Sequence, residues 1–237
     1  MAVNRYFANT HLAEMVDISA GEVVDVHKID KFGYNSAVGN SYETIWDGNN
    51  LYTYIETAGT ATVASSNTSA DNGSTVEIQG LDANYDQVSE ILTVGGSAGT
   101  VEFYRVHRAR VVTPNTGTAN VGTVTITVDS KSAAIISPGQ GQTLMCVYTI
   151  PRRYTGYLIQ LDVGSSKDVE NDIRVVVRNG SSEAFNVKAF LSKRGGFSEK
   201  NFKIPVEILQ KNDIEIQALA SATSKISAGF ELILCKK

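Results

Sequence analysis

Between Ile226 and Cys235 the sequence reads ISAGFELILC, and this run decides how the rest of the chain is read. Ile226, Ala228, Phe230, Leu232 and Leu234 recur at every second position, with Ser227, Gly229 and Glu231 among the residues between them. Successive side chains of a strand point to opposite faces of the pleat, so a period of two marks a strand with one buried face. Phe230 is thereby placed on the apolar face, and Gly229, facing the other way, suggests a close approach or a bulge. The same period recurs in Ile173, Val175 and Val177, and again in Ile214, Ile216 and Ala218. Residues 142–237 are therefore predicted to form one antiparallel β-sandwich.

Working back from that strand, further apolar runs are expected as strands at 143–150, 157–163, 172–178, 183–191, 202–209 and 213–219. Turn residues at 179–182 and 210–213 would close two hairpins. Pro205 falls inside a strand pattern, and proline cannot donate to a ladder, so that strand is an edge or carries a bulge. Cys146 and Cys235 sit in apolar strand patterns and read as buried free thiols of a cytoplasmically folded protein, too few for a disulfide scaffold.

The stretch between Asp129 and Gly141 is loosely patterned and holds Ser, Pro and Gly, so a domain boundary is placed there. Before it, short threonine- and valine-rich runs from Thr60 to Val128 alternate with turn signals, the pattern of a sandwich or barrel. Asp47-Gly48-Asn49-Asn50 is expected to turn a hairpin between 42–46 and 51–55, because Gly and Asn accept positive φ. Val24 and Val26 suit a strand. Residues 1–20 lack sustained periodicity and are read as an extended arm, disordered until a partner surface orders it. The whole is predicted to be all-β: two antiparallel β-sandwich domains of jelly-roll or immunoglobulin-like type, at 21–130 and 142–237, behind the arm.

The totals bound function from the outside. With 237 residues and 42% hydrophobic content the chain can bury substantial cores. A net charge of -4 is no footprint for nucleic acid. The start shows no secretory pattern, and no apolar run approaches the roughly 20 residues a membrane helix needs. No partner is expected in nucleic acid or membrane.

Motifs for chemistry are weak. Asp82, Asn84 and Asp86 share spacing with a calcium loop, but Gln87 and Thr93 stand where Gly and Glu are required, so a solvated Asx turn is the better reading. His11, His27 and His107 have no ligand at metal spacing around them. Gly95 to Gly99 lacks the lysine and helix of a phosphate loop. No catalytic residues, metal ligands or cofactors are assigned. Aromatic and basic side chains at Phe32, Tyr34, Tyr42, Trp46, Arg152, Arg153 and Tyr154 are the candidate interface, Trp46 being read chiefly as a core or interface anchor.

Two stretches carry a resemblance. KFGYNSAVGNSYETIWDGNNLYTYIE (31–56), followed by VEIQGLDANYDQVSEILTV (76–94), resembles an N-terminal module of structural proteins in tailed bacteriophages of marine and cyanobacterial hosts. The run MCVYTIPRRYTGYLIQLDVG (145–164), with FKIPVEILQKNDIEIQALAS (202–221) and ISAGFELILC (226–235), resembles the sandwich that accompanies it. The resemblance implies a non-enzymatic virion component assembled in the host cytoplasm. A capsid decoration or cement protein is the leading form, a homotrimer seated on the major capsid protein or other virion proteins. A host-glycan or receptor-binding module of a head fibre or tail is the alternative, and a glycan-degrading enzyme a distant third.

Overall fold

In the computed structural model of the chain, residues 10–179 and 184–237 are described, with side chains from Glu14 onward in the first helix. Helix α1 (Thr10–Ser19) leads into the long strand β1 (Val26–Val38). β2 (Glu43–Thr44), β3 (Gly59–Thr60) and β4 (Thr62–Ser65) are short, and one helical turn, α2 (Thr68–Asp71), follows. β5 (Thr75–Leu81), β6 (Gln87–Thr93), β7 (Glu102–Phe103), β8 (Arg105–Thr113), β9 (Val124–Val128) and β10 (Lys131–Ile136) fill the middle of the chain. β11 (Val147–Thr149), β12 (Tyr154–Asn179), β13 (Phe185–Ile208), β14 (Asn212–Ala220) and β15 (Ser224–Lys236) follow. The protein is all-β, and its sheets are antiparallel.

β12 organises the larger sheet. One of its sides pairs with β13 along nearly its whole length. Its other side pairs with β15 over the first half, Tyr154 opposite Lys236 to Ser165 opposite Ile226, and with β14 over the second, Asn171 opposite Ala220 to Asn179 opposite Asn212. The register with β13 breaks between Ser165 and Glu170, where four residues of β12 stand against Gly195 alone. Extra residues on one strand bend it and sharpen its twist. The break divides the β15-paired half of the sheet from the β14-paired half, and both contribute apolar side chains to one core. Leu158, Leu161, Val163, Ile173, Val175, Ile214, Ile216, Ile226, Phe230 and Leu232 all point into it.

Phe230 is fully buried, as its phase requires. A Cβ on Gly229 would meet the Asp162 carboxylate at 2.6 Å, so the glycine marks a close approach on the outer face. Pro205 lies where four residues of β13 bulge out between Val206 and Asn201, in a strand that among the described residues pairs with β12 alone, so both halves of that expectation hold.

A second core gathers Trp46, Tyr52, Tyr54, Val76, Ile78, Phe103, Val106, Ile126 and Ile136. Around it lie a sheet of β10, β9 and β4, another of β6, β5 and β8, and the small pair of β3 with β7. The two cores are not divided along the chain as 21–130 and 142–237 are. β1 lies antiparallel to β15, Val26 opposite Cys235, and Val38 and Ile45 pack into the core of the later strands. Met145 and Val147 pack into the core of the earlier ones.

Four sequence readings change locally. Residues 131–136, inside the stretch read as a boundary, are strand β10, paired with β9 across a turn in which Asp129 and Ser130 have φ of 51° and 58°. Positive φ at both positions is what a tight two-residue hairpin turn demands. The turn at Asp47–Asn50 forms, with Asn49 at φ 52°, but 51–55 joins no ladder and is not a strand: Tyr52, Tyr54 and Ile55 are buried in the smaller core instead. Thr10–Ser19 of the expected arm is helical and lies against β1, which supplies the tertiary surface so short a helix needs. Cys146 and Cys235 are free, but Cys235 is only half-buried. The first nine residues and residues 180–182 of the turn predicted at 179–182 lie outside the described residues, while Asn179 ends β12.

Candidate functional site

Where the two cores meet, the polar phase of β14 faces inward. Ile214, Ile216 and Ala218 enter the larger core, and Asp213, Glu215 and Gln217 on the opposite face are also buried, against the smaller one. The Arg105 guanidinium donates to both Asp213 carboxylate oxygens, Nε to Oδ1 at 2.9 Å and Nη2 to Oδ2 at 3.1 Å, and Nη1 donates to the carbonyls of Ile55 and Tyr104. Thr149 Oγ1 donates to the same carboxylate at 2.6 Å. Burial alone would weaken the charge on Arg105, but hydrogen bonding and attraction to Asp213 outweigh it and hold the guanidinium above its ordinary value. Two-point pairing of this kind fixes geometry as well as charge.

Next along the strand, Glu215 accepts from Thr44 Oγ1 at 2.9 Å and from Gln217 Nε2 at 2.7 Å. Burial pushes its pKa up to about 7. Gln217 Oε1 in turn accepts from Arg174 Nε, whose guanidinium lies 3.7 Å above the Tyr42 ring and 4.7 Å from the Phe185 ring. These carboxylates, amides and guanidinium groups are paired with one another, whereas the buried Tyr54 hydroxyl, its ring under Arg105 and Arg178, has no hydrogen-bond partner among the described residues. The seam is a structural joint between the two cores.

A cleft of about 580 Å³ opens beside the joint, between β1 on one wall and β5, β6 and β8 on the other. β8 has an irregular register there, Gln79 opposite Arg108 but Gly80 opposite Val106, so His107 is the extra residue of a bulge. Arg105, Val106 and His107 are consequently buried in succession, and the bulge re-aims the imidazole into the interlobe space. A Cβ on Gly80 would lie 1.9 Å from the Arg105 carbonyl oxygen, so only glycine permits this crossing of β5 and β8.

The His107 ring lies 4.3 Å from the Tyr148 ring, and its Nε2 accepts the Thr149 backbone N–H at 3.2 Å. An acceptor at Nε2 places the proton of the neutral ring on Nδ1. Burial, with Lys31 and Arg105 nearby, lowers the His107 pKa well below its ordinary value, so the ring is neutral. Across the cleft Lys31 Nζ donates to the His107 carbonyl oxygen. Burial draws the Lys31 pKa down to about 8. The Cys146 thiol behind it is pushed up by burial and donates to the Ala228 carbonyl, which makes it an inert core group.

The residues singled out from the sequence do not converge. Phe32 is 44% exposed and lines the cleft. Tyr34 is half-buried further along β1, and Tyr42 is stacked on Arg174. Trp46 is a core residue whose Nε1 donates to the Asn50 carbonyl at 2.8 Å. Arg152 pairs with Asp86, Arg153 lies in the turn before β12, and Tyr154 is the first residue of that strand. The Asp82 carboxylate accepts the backbone N–H groups of Asn84 and Asp86, as an Asx turn would. Lys31 and Arg105 carry no signal in the sequence, and His107 is considered there only as a metal ligand and set aside, for no local pattern marks a lysine and a histidine 76 residues apart as neighbours.

No protein-family model matches this chain, and no curated protein sequence does. A bacterial lipoprotein from Bacteroides thetaiotaomicron aligns with 91% of this chain and 97% of its own at 9% identity, with a TM-score of 0.18. The D431N mutant VP2 protein of infectious bursal disease virus aligns with 89% of this chain and 73% of its own at 12% identity, with a TM-score of 0.11. At such scores neither likeness carries an argument about fold or role.

Proposed function

We propose that this chain is a structural subunit of a viral particle, a non-enzymatic protein of the tailed-phage virion that decorates or cements the capsid as a homotrimer. The observation that carries the reading is β13. It is 24 residues long, pairs among the described residues with β12 on one side only, and exposes Phe190, Phe197 and Ile204 at 50%, 68% and 85%. Natural proteins blunt such edges or use them, because unpaired N–H and C=O groups invite a neighbouring chain. The phage-like runs at 31–94 and 145–235 support the particle as the setting.

Charge indicates what the edge meets. β13 carries five basic and two acidic side chains, while the other 213 residues carry sixteen basic and twenty-three acidic. Acids gather on the outer face of the same sheet, where burial and the neighbouring Asp30, Glu199 and Glu231 raise the pKa of Asp162. A basic edge on one copy against an acidic face on the next is a head-to-tail contact, and such contacts close into a ring where the rotation between copies returns to the start. Sedimentation velocity of the wild-type protein beside the double variant F197D/I204E tests this. The expected result is a trimer that the variant reduces to monomer. A wild-type monomer at high micromolar concentration, or absence of the chain from purified particles by mass spectrometry, would overturn it. A second reading, recognition of a host glycan, is favoured by the cleft at β1, on the opposite edge of the sheet from β13.

A further inference from the structure

Lys31 is 9% exposed, yet it forms no ion pair among the described residues, its hydrogen-bond acceptor being the neutral His107 carbonyl. A buried ammonium without a counter-charge is costly, and proteins retain one where something else supplies the anion. His107, 8% exposed, presents a second unanswered donor: Nε2 is committed to Thr149, and the Nδ1–H has no hydrogen-bond partner among the described residues. Both residues line the same cleft, and Arg108, beside His107, adds positive charge at its rim. Asp30 also lines it and attracts the ammonium through space, but the phase of β1 turns its side chain to the other face and the two form no ion pair, while Lys28 is engaged by Glu231 at 2.9 Å.

We infer that this cleft binds a carboxylate-bearing sugar, the Lys31 ammonium pairing with the carboxylate and the His107 Nδ1–H donating a second bond to it. The rest of the lining suits the rest of such a ligand. Gln79 and Gln87 offer side-chain amides for hydroxyls. The volume, about 580 Å³, lies within the range of small-molecule sites. The neutral, tautomer-locked histidine leaves the ammonium to supply the attraction for the anion. The site involves no residue of β13, so it stands or falls independently of the assembly role.

Titration of the full chain with glucuronate, followed by the imidazole nitrogen resonances of His107 and by calorimetry, tests the inference. Glucose, acetate and inorganic phosphate serve as parallel probes. Saturable binding of glucuronate with a shift of the Nδ1–H signal is expected, with acetate at least tenfold weaker and glucose weaker still. Lys31→Met, close in size and uncharged, should reduce glucuronate affinity tenfold or more while the melting temperature holds or rises. Equal affinity for glucose and glucuronate would remove the ammonium from the account, and binding of phosphate alone would remove the carboxylate. No saturable response of the wild-type His107 signals to any of the four probes overturns the site outright.

Discussion

Glu215 shows how far one side chain's chemistry depends on its surroundings. A carboxyl ordinarily titrating near 4.5 is held at about 7 by burial in the joint. A group whose folded pKa lies above its unfolded one binds its proton more tightly in the native state. Its contribution is therefore complete below the unfolded value and is lost as pH rises through the folded one. Between pH 5 and pH 8 the wild-type protein should lose stability on the order of 3 kcal/mol through this residue. Glu215→Gln, neutral throughout, should lose much less, and parallel urea-unfolding curves for the two proteins would show that the carboxyl is already ionised at pH 5. Phe230 is the apolar counterpart. It is fully buried, so Phe230→Ala should cost about 3–5 kcal/mol in thermal unfolding through lost transfer energy and the cavity left behind. A change within about 1 kcal/mol of zero would place the ring outside the core.

At the scale of elements, strands with one apolar phase were legible and strands with two buried faces were half-legible. β15 and the Ile214, Ile216 and Ala218 phase of β14 follow from alternation alone. The Asp213, Glu215 and Gln217 phase reads as solvent-facing, because Arg105, Thr44 and Arg174, which make its burial tolerable, lie 43 to 171 residues away. β12 and β13 each read as two strands, since the polar residues at the bend look like loops when the partner strand is not in view. β10 reads as a linker because alanine and serine say little about burial. The cleft was not legible at all: it needs β1 beside β8, a pairing of sheets rather than of neighbours in sequence. The edge position of β13 makes a kinetic prediction. Amides of β13 that point to β12 should exchange slowly with deuterated solvent and the alternate ones fast, while both phases of β12 are slow. Uniform protection along β13 in the monomeric variant would mean that its outer side is already paired.

For the whole molecule, two cores are tied by one buried joint and by segments that each lends the other. The protein should therefore melt in a single calorimetric transition. Arg105→Met leaves the Asp213 carboxylate buried with Thr149 and the longer 3.4 Å contact to Arg178 as its side-chain partners, at a cost of roughly 3–5 kcal/mol. The melting temperature should fall by many degrees with the transition still single, and two resolved peaks in the wild-type protein would mean that the joint does not couple the cores. The pairing of β1 with β15 also sets an order in time. Val26 waits for Cys235, about 200 residues later in the chain, which at the usual pace of a ribosome is roughly 10–40 s of synthesis. Through that interval β1 has no ladder to join, and Lys31 stays in water with its charge fully hydrated. The wall that carries it can close only when β15 emerges, so the cleft takes shape only after the strands of both cores have been made.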